Sequence, residues 1–153
     1  MKKILYVDMD NVLVDFPSAI NQIPQDQREE YVGRLDEVPG IFGRMDPIAH
    51  AIDSYRLLAS VFDTYVLSTA PWQNPSAWSD KLLWVQKHLG EAAYKRLILS
   101  HHKNLNAGDF LVDDRTKNGA DRFRGEHILF GSEHFRDWPT VTKYLLSKVS
   151  SKV

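Results

Sequence analysis

Ile4-Leu5-Tyr6-Val7-Asp8-Met9-Asp10-Asn11-Val12-Leu13-Val14-Asp15 starts apolar and then places two carboxylates at i and i+2. Residues 4–7 are apolar or aromatic throughout, as in the central strand of a parallel sheet covered on both faces. Sheets of that kind present their chemistry at strand carboxyl ends, in the crevice beyond the sheet edge. Asp8 therefore falls where a central strand stops and a crevice begins. One Asp-x-Asp by itself reads equally well as a turn former or a cap, so the choice rests on the rest of the chain.

Further apolar runs at 64–67, 97–99, 110–112 and 128–130 are short and bounded by polar or turn residues, as strands are. Helix-like segments lie between them. In 47–60, Ile48, Ile52, Leu57 and Leu58 fall near helical spacing, and 77–89 repeats the pattern with Leu82, Leu83, Val85 and Leu89 before a C-terminal stop at Gly90. Residues 138–146 predict a closing helix. Strands alternating with helices imply right-handed crossovers and a Rossmann-like, doubly wound parallel α/β sheet. Residues 17–45 are the exception, polar at first and broken at Pro39-Gly40. They read as a small helical cap inserted after the first strand, with 1–16 and 46–153 forming the core domain; an ordinary crossover helix with loops is the alternative. The tail from Ser147 to Val153 reads as frayed.

Length and composition narrow the function. The chain has 153 residues, 43% of them hydrophobic, which fits one domain with a packed core. Its formal net charge of -1 gives no sign of a surface that coats a nucleic-acid polymer. There is no cysteine, which excludes disulfides, thiolate metal sites and a Cys nucleophile and leaves oxygen ligands and His. The apolar start is too short for a signal core or a membrane span, so a cytoplasmic location is expected.

Four expected strand ends would converge at the mouth of such a sheet. The first carries Asp8 and Asp10. The second ends Ser68-Thr69-Ala70-Pro71, a hydroxyl and free backbone N–H groups of the kind an oxyanion needs, although Ser-Thr after a strand is more often a helix cap. The third is followed by Ser100-His101-His102-Lys103 and the fourth by Asp113-Asp114-Arg115. Adjacent acids repel unless a cation joins them, which makes Asp113-Asp114 opposite Asp8 a reasonable Mg2+ site; a surface turn is the plain alternative. Adjacent histidines on extended backbone point to opposite faces, so His101 and His102 suit a loop or rim better than a shared metal. The four tryptophans, Trp72, Trp78, Trp84 and Trp138, suit packing, with Trp72 the one placed to border a pocket.

In order and spacing this set resembles the motifs of the haloacid dehalogenase superfamily of phosphotransferases, over nearly the whole chain. Within it the chain resembles the 5'(3')-deoxyribonucleotidases, through Asp8-Met9-Asp10-Asn11-Val12-Leu13-Val14-Asp15-Phe16, Pro39-Gly40-Ile41-Phe42, Leu67-Ser68-Thr69-Ala70-Pro71, Lys81 with Trp84-Val85-Gln86-Lys87, His102-Lys103 and Val112-Asp113-Asp114-Arg115. The resemblance implies that Asp8 is a nucleophile forming an aspartyl phosphate and Asp10 the general acid and base. It implies Mg2+ held by Asp8, the Asp10 carbonyl and Asp113, with Asp114 behind them. It implies phosphate contacts from Thr69, Lys103 and the Ala70 amide, and a sugar and base pocket at Phe16, Phe42 and Arg115. Lys81 is a candidate second phosphate contact, with a solvated lysine as the alternative. Asn11 stands where the pattern more often has Gly, and Asn tolerates the left-handed conformation a tight turn requires. Ala70 lacks a hydroxyl that many relatives offer. The cap is short, and caps set substrate choice.

The expected activity is a Mg2+-dependent phosphatase for deoxyribonucleoside monophosphates. Its partners would be small nucleotides, with no nucleic-acid polymer and no membrane; a homodimer is left open. The rivals are a phosphatase for another small ester such as a sugar phosphate, a nucleic-acid end-processing phosphatase, and a non-catalytic binding protein on the same fold.

Overall fold

The computed structural model describes residues 1–149. Strand β1 (Ile4–Val7) is followed by a tight turn and a short strand β2 (Val14–Asp15), then helices α1 (Phe16–Ile20) and α2 (Gln25–Glu30) and a short strand β3 (Asp46–Pro47). The chain then alternates as expected through α3 (Ala51–Val61), β4 (Asp63–Ser68), α4 (Pro75–His88) and β5 (Leu97–Leu99), but β6 (Phe110–Asp113) and β7 (Glu126–Leu129) follow with only 3-10 turns between the strands, before α5 (Trp138–Ser147). Five strands form one parallel sheet in the order β5-β4-β1-β6-β7. The chain winds from β1 toward β5 and then returns to the other side of β1, so Asp8 lies at the point where the strand order reverses. Open sheets hold ligands there.

Side chains alternate across β1 and divide the core in two. Leu5 and Val7 join Tyr55 and Leu58 of α3, Trp84 and Val85 of α4, and Trp138, Val141 and Leu145 of α5 in the main cluster. On the other face Tyr6 joins Leu67, Leu111, Ala120 and Phe123 in a smaller one. The three long helices thus share one layer. The second face is covered by a 3-10 turn (Ala120–Arg122) and by aromatic side chains, with the Tyr6 and Phe123 rings edge-to-face at 5.9 Å.

Two expected boundaries move. The helix read over 47–60 starts only at Ala51, because Asp46 and Pro47 pair antiparallel with Asp15 and Val14, and because His50 sits at φ +68°, where no helix can begin. The last strand starts two residues before its apolar run: it lies at the sheet edge, where Glu126 and His127 need only partial burial. Gly90, at φ +59°, stops α4 as expected. Ser147 closes α5, so the fraying read from that point on is not seen there, and residues 150–153 lie outside the described residues.

The β2–β3 pair brings both ends of 16–45 together over the sheet. From outside that segment Asn74 donates to the carbonyls of Asp36 (2.9 Å) and Val38 (3.1 Å), Ser76 Oγ accepts from the Gly40 amide (3.0 Å), and Trp84 Nε1 donates to the Met45 carbonyl (3.0 Å). Gly40 itself is left-handed at φ +80°, which favours glycine there. Asn-Pro-Ser at 74–76 would ordinarily cap α4, but the Asn74 side chain makes no cap bond and ties the segment down instead.

Trp138, fully buried at the start of α5, donates its indole N–H to the Val12 carbonyl at 2.7 Å and so pins the turn that follows β1. Trp138→Phe leaves that buried carbonyl without its partner and should cost about 1–3 kcal/mol of unfolding free energy in urea denaturation. A loss within ±0.5 kcal/mol would mean that the turn is held by its own backbone bonds.

Candidate active site

The turn after β1 is built from backbone. The amides of Leu13 and Val14 both donate to the Met9 carbonyl (2.8 and 2.9 Å), and Asn11 donates to Val14 at 2.8 Å. Asn11 adopts φ +60°, the left-handed conformation expected of it. The turn leaves Asp8 at the strand end, buried, and Asp10 beside it at the cavity wall. Asp113 ends the neighbouring strand β6, and Asp114 follows it. Oxygens of Asp8, Asp113 and Asp114 all lie within 4.8 Å of one another.

Lys103, nearly fully buried, reaches this group from a 3-10 turn (Lys103–Leu105) and donates to Asp113 Oδ2 at 2.6 Å and to Asp8 Oδ1 at 3.0 Å. Asp113 Oδ1 also accepts from the Arg115 amide at 3.0 Å. A second lysine, Lys81 of α4, is completely buried and donates to both oxygens of Asp10 at 3.1 Å and to Ser68 Oγ at 2.8 Å. It is neither solvated nor part of the cavity wall; Asp10 and Ser68 engage its ammonium. That partnership was absent from the sequence reading, because a Lys on a helix carries no sign of what it meets across the fold.

These carboxylates and the cavity of about 590 Å³ above them share one mouth. Its apolar side is made by Phe16, Leu35 and Phe42, with the two phenylalanine rings edge-to-face at 5.9 Å. Its polar side includes Thr69, Arg115 and Lys117. Thr69 Oγ1 donates to the Ser100 carbonyl at 2.7 Å, so its proton is already engaged. Ala70 is fully buried and does not line the cavity, which leaves only its backbone to act there. His101 borders the mouth, packed between Trp72 and Trp78 at 6.1 Å from each, while His102 is exposed. Sequence reading missed Leu35, Asp36, Lys117 and Asn118, which line the cavity from loops without a motif of their own.

Charge is the dominant feature of this mouth. Burial and then repulsion from Asp8 push the Asp113 carboxyl up to about 6 and the Asp114 carboxyl up to about 7. Burial also raises Asp10, with Lys81 opposing it. Burial alone would lower the Lys103 ammonium, but Asp8 and Asp113 outweigh it and hold Lys103 above its ordinary value. Three hard oxygen donors crowded this closely, in a chain without thiolates, suit Mg2+, which prefers oxygen ligands. Asp8, Asp113 and Asp114 are the side chains that would hold it.

A parallel sheet with the order given above, an Asp-x-Asp at its central strand end, and a facing Asp pair with a buried lysine define a hydrolase of the haloacid dehalogenase type. The fold agrees: a structure described as a provisional HAD-hydrolase from Bacillus subtilis bound to magnesium superposes with a TM-score of 0.65 at 13% identity, covering 94% of this chain and 98% of that one. The family profile "5' nucleotidase, deoxy (Pyrimidine), cytosolic type C protein" matches residues 21–143. A Vibrio phage KVP40 protein provisionally named 5'(3')-deoxyribonucleotidase is 57% identical, covering 96% of this chain and 86% of its own length. The human 5'(3')-deoxyribonucleotidase, cytosolic type, is 31% identical, covering 92% and 87%. The chain belongs to the 5'(3')-deoxyribonucleotidase family of the haloacid dehalogenase superfamily. The profile match begins after Asp10, whereas the alignment with the phage protein takes in the Asp8–Asp10 turn as well.

Asp113 and Asp114 hold protons more tightly in the folded chain than unfolded, where they titrate near 3.8. The metal-free protein therefore loses stability as pH rises from about 4 through about 7. A divalent cation that joins these carboxylates relieves the loss. Magnesium should raise Tm more at about pH 7.5 than at about pH 5.5, and Asp114→Asn should raise the metal-free Tm at the higher pH while shrinking the magnesium shift. Equal magnesium shifts at both pH values would contradict this electrostatic account.

Proposed function

We propose that this phosphoric monoester hydrolase acts on deoxyribonucleoside monophosphates, requires Mg2+ and works through an aspartyl phosphate on Asp8. The observation that carries the reading is the meeting of Asp8, Asp113, Asp114 and Lys103 in the wall of a cavity that Phe16 and Phe42 also line. The anionic end suits a phosphate whose charge a bound Mg2+ would offset, and Phe16 and Phe42 suit a deoxyribose and base. The names of the phage and human relatives point the same way. Residues 17–45 then act as a small cap over the core formed by 1–16 and 46–153. No helix among the described residues is long and apolar enough to cross a membrane, and a cytoplasmic location belongs to the same reading.

In this mechanism an Asp8 oxygen attacks phosphorus and the ester oxygen departs. Asp10 gives that oxygen its proton. Water then attacks the phosphorus of the aspartyl phosphate, Asp10 takes a proton from the water, and inorganic phosphate leaves with Asp8 restored. Bound magnesium would lessen the repulsion between the carboxylate and the incoming phosphate. Lys103 assists the approach of the two anions, having already been drawn to Asp8 at 3.0 Å. Thr69 and Arg115 stand on the polar side of the cavity, placed to meet phosphate oxygens and the nucleoside respectively. For Thr69 to donate to phosphate, its hydroxyl must turn away from the Ser100 carbonyl.

Phosphate release from deoxyribonucleoside 5'- and 3'-monophosphates with magnesium tests this directly. EDTA should abolish it, and Asp8→Asn should lower it by a factor on the order of 10³ or more. Turnover of sugar phosphates or an aryl phosphate in place of nucleotides, still dependent on Asp8, would keep the chemistry and overturn the substrate. No turnover of any ester would favour a binding protein.

A further inference from the structure

Lys81 is the buried cation that the mechanism above leaves without a task. It is fully buried beneath the cavity floor, and its ammonium carries three protons. The structure supplies three acceptors: Asp10 Oδ1 and Oδ2, each at 3.1 Å, and Ser68 Oγ at 2.8 Å. The Phe42 ring closes the remaining side, its centroid 4.5 Å from Nζ. An ammonium with every proton engaged and an aromatic lid has nothing left to offer a phosphate.

Its effect falls on Asp10. Two equal contacts fix the plane of that carboxylate, and Ser68, at the end of β4, fixes the lysine in turn. The Asp10 side chain is still 28% exposed, toward the cavity. Lys103 touches Asp8 and Asp113, so the two buried lysines serve different carboxylates. We infer that Lys81 is a positioning residue that clamps the Asp10 carboxylate toward the leaving-group oxygen, making turnover of esters with poor leaving groups depend on Lys81. The inference rests on Asp10 being the general acid. Phe42 then has two tasks, walling the pocket and shielding this clamp from water, which ties the inserted segment to the chemistry.

Leaving groups separate this role from phosphate binding. An alkyl ester such as thymidine 5'-monophosphate or glycerol phosphate needs its departing oxygen protonated, whereas p-nitrophenyl phosphate does not. Lys81→Met keeps the length and apolar stem of the side chain. With saturating magnesium it should lower kcat/KM for the alkyl esters about 10²-fold and kcat/KM for p-nitrophenyl phosphate by no more than about threefold, because kcat/KM stops at departure of the leaving group, before the water step in which Asp10 serves every substrate as base. Asp10→Asn, run alongside, should show the same alkyl-selective loss. Lys81 touches none of Asp8, Asp113 and Asp114, so the magnesium-induced rise in Tm should persist in Lys81→Met and report an intact metal group. Should that variant not fold, Ser68→Ala loosens the same clamp and should give a smaller loss with the same selectivity.

Equal losses of kcat/KM on alkyl and aryl esters, or no loss at all, would each overturn the inference. Wild-type protein that ignores thymidine 5'-monophosphate but hydrolyses glycerol phosphate would overturn the nucleotide assignment alone, since the alkyl-to-aryl contrast can still be read. Wild-type protein inert toward every ester would overturn both.

Discussion

Four carboxylates, Asp8, Asp10, Asp113 and Asp114, are gathered at the carboxyl end of one parallel sheet, and two buried ammonium groups answer them. Carboxylates within 4.8 Å repel by roughly 3 kcal/mol per pair at an effective dielectric near 20. The fold tolerates this because each lysine is committed, Lys103 between Asp8 and Asp113 and Lys81 under Asp10. The two buried ammonium groups do not balance four carboxylates, and Arg115 opposes the rise at Asp114 without overcoming it. The remaining deficit makes the mouth receptive to a divalent cation and raises the carboxyls of Asp113 and Asp114. The topology imposes the crowding: β1 and β6 are adjacent and parallel, so residues that follow them in register, Asp8 and Asp113, must end side by side.

That constraint is also why so much of the molecule could be read before it was seen. Asp8 and Asp113 follow short apolar runs, and any parallel sheet places such residues at a common edge. Asn11 was legible because few residues accept φ +60° and Asn is one of them. The interactions across the chain were not legible. Lys81 lies 71 residues from Asp10, and nothing near it announces a buried ion pair. Asn74 had no part in that reading, yet it holds the inserted segment. Strands β2 and β3 are two residues long and carry no periodicity, so the first turn of the following helix was read four residues too early. Local pattern specifies elements and their ends; which distant side chain meets which end depends on packing that no window of sequence contains.

On the proposed function, the segment between β2 and β3 joins selectivity to chemistry. It is short, and α4 and its leading loop hold it through Asn74, Ser76 and Trp84. It delivers Leu35 and Phe42 to the cavity wall. Phe42 at the same time covers Lys81. A substitution in this segment can therefore alter turnover as well as substrate preference, because the wall of the pocket is also the lid of the ion pair beneath Asp10. Family membership is consistent with such an arrangement, since the matched stretch, residues 21–143, includes this segment, α4 and the Asp113–Asp114 strand end.

The central claim is that Asp8 becomes covalently phosphorylated. The most direct measurement is to quench the protein during turnover of a deoxyribonucleoside monophosphate with borohydride, which reduces an acyl phosphate to an alcohol, and to map the modified peptide by mass spectrometry. Reduction confined to Asp8, and absent without substrate, is the result this account predicts. Phosphate release with Asp8 left unmodified, or reduction at another carboxylate, would contradict it.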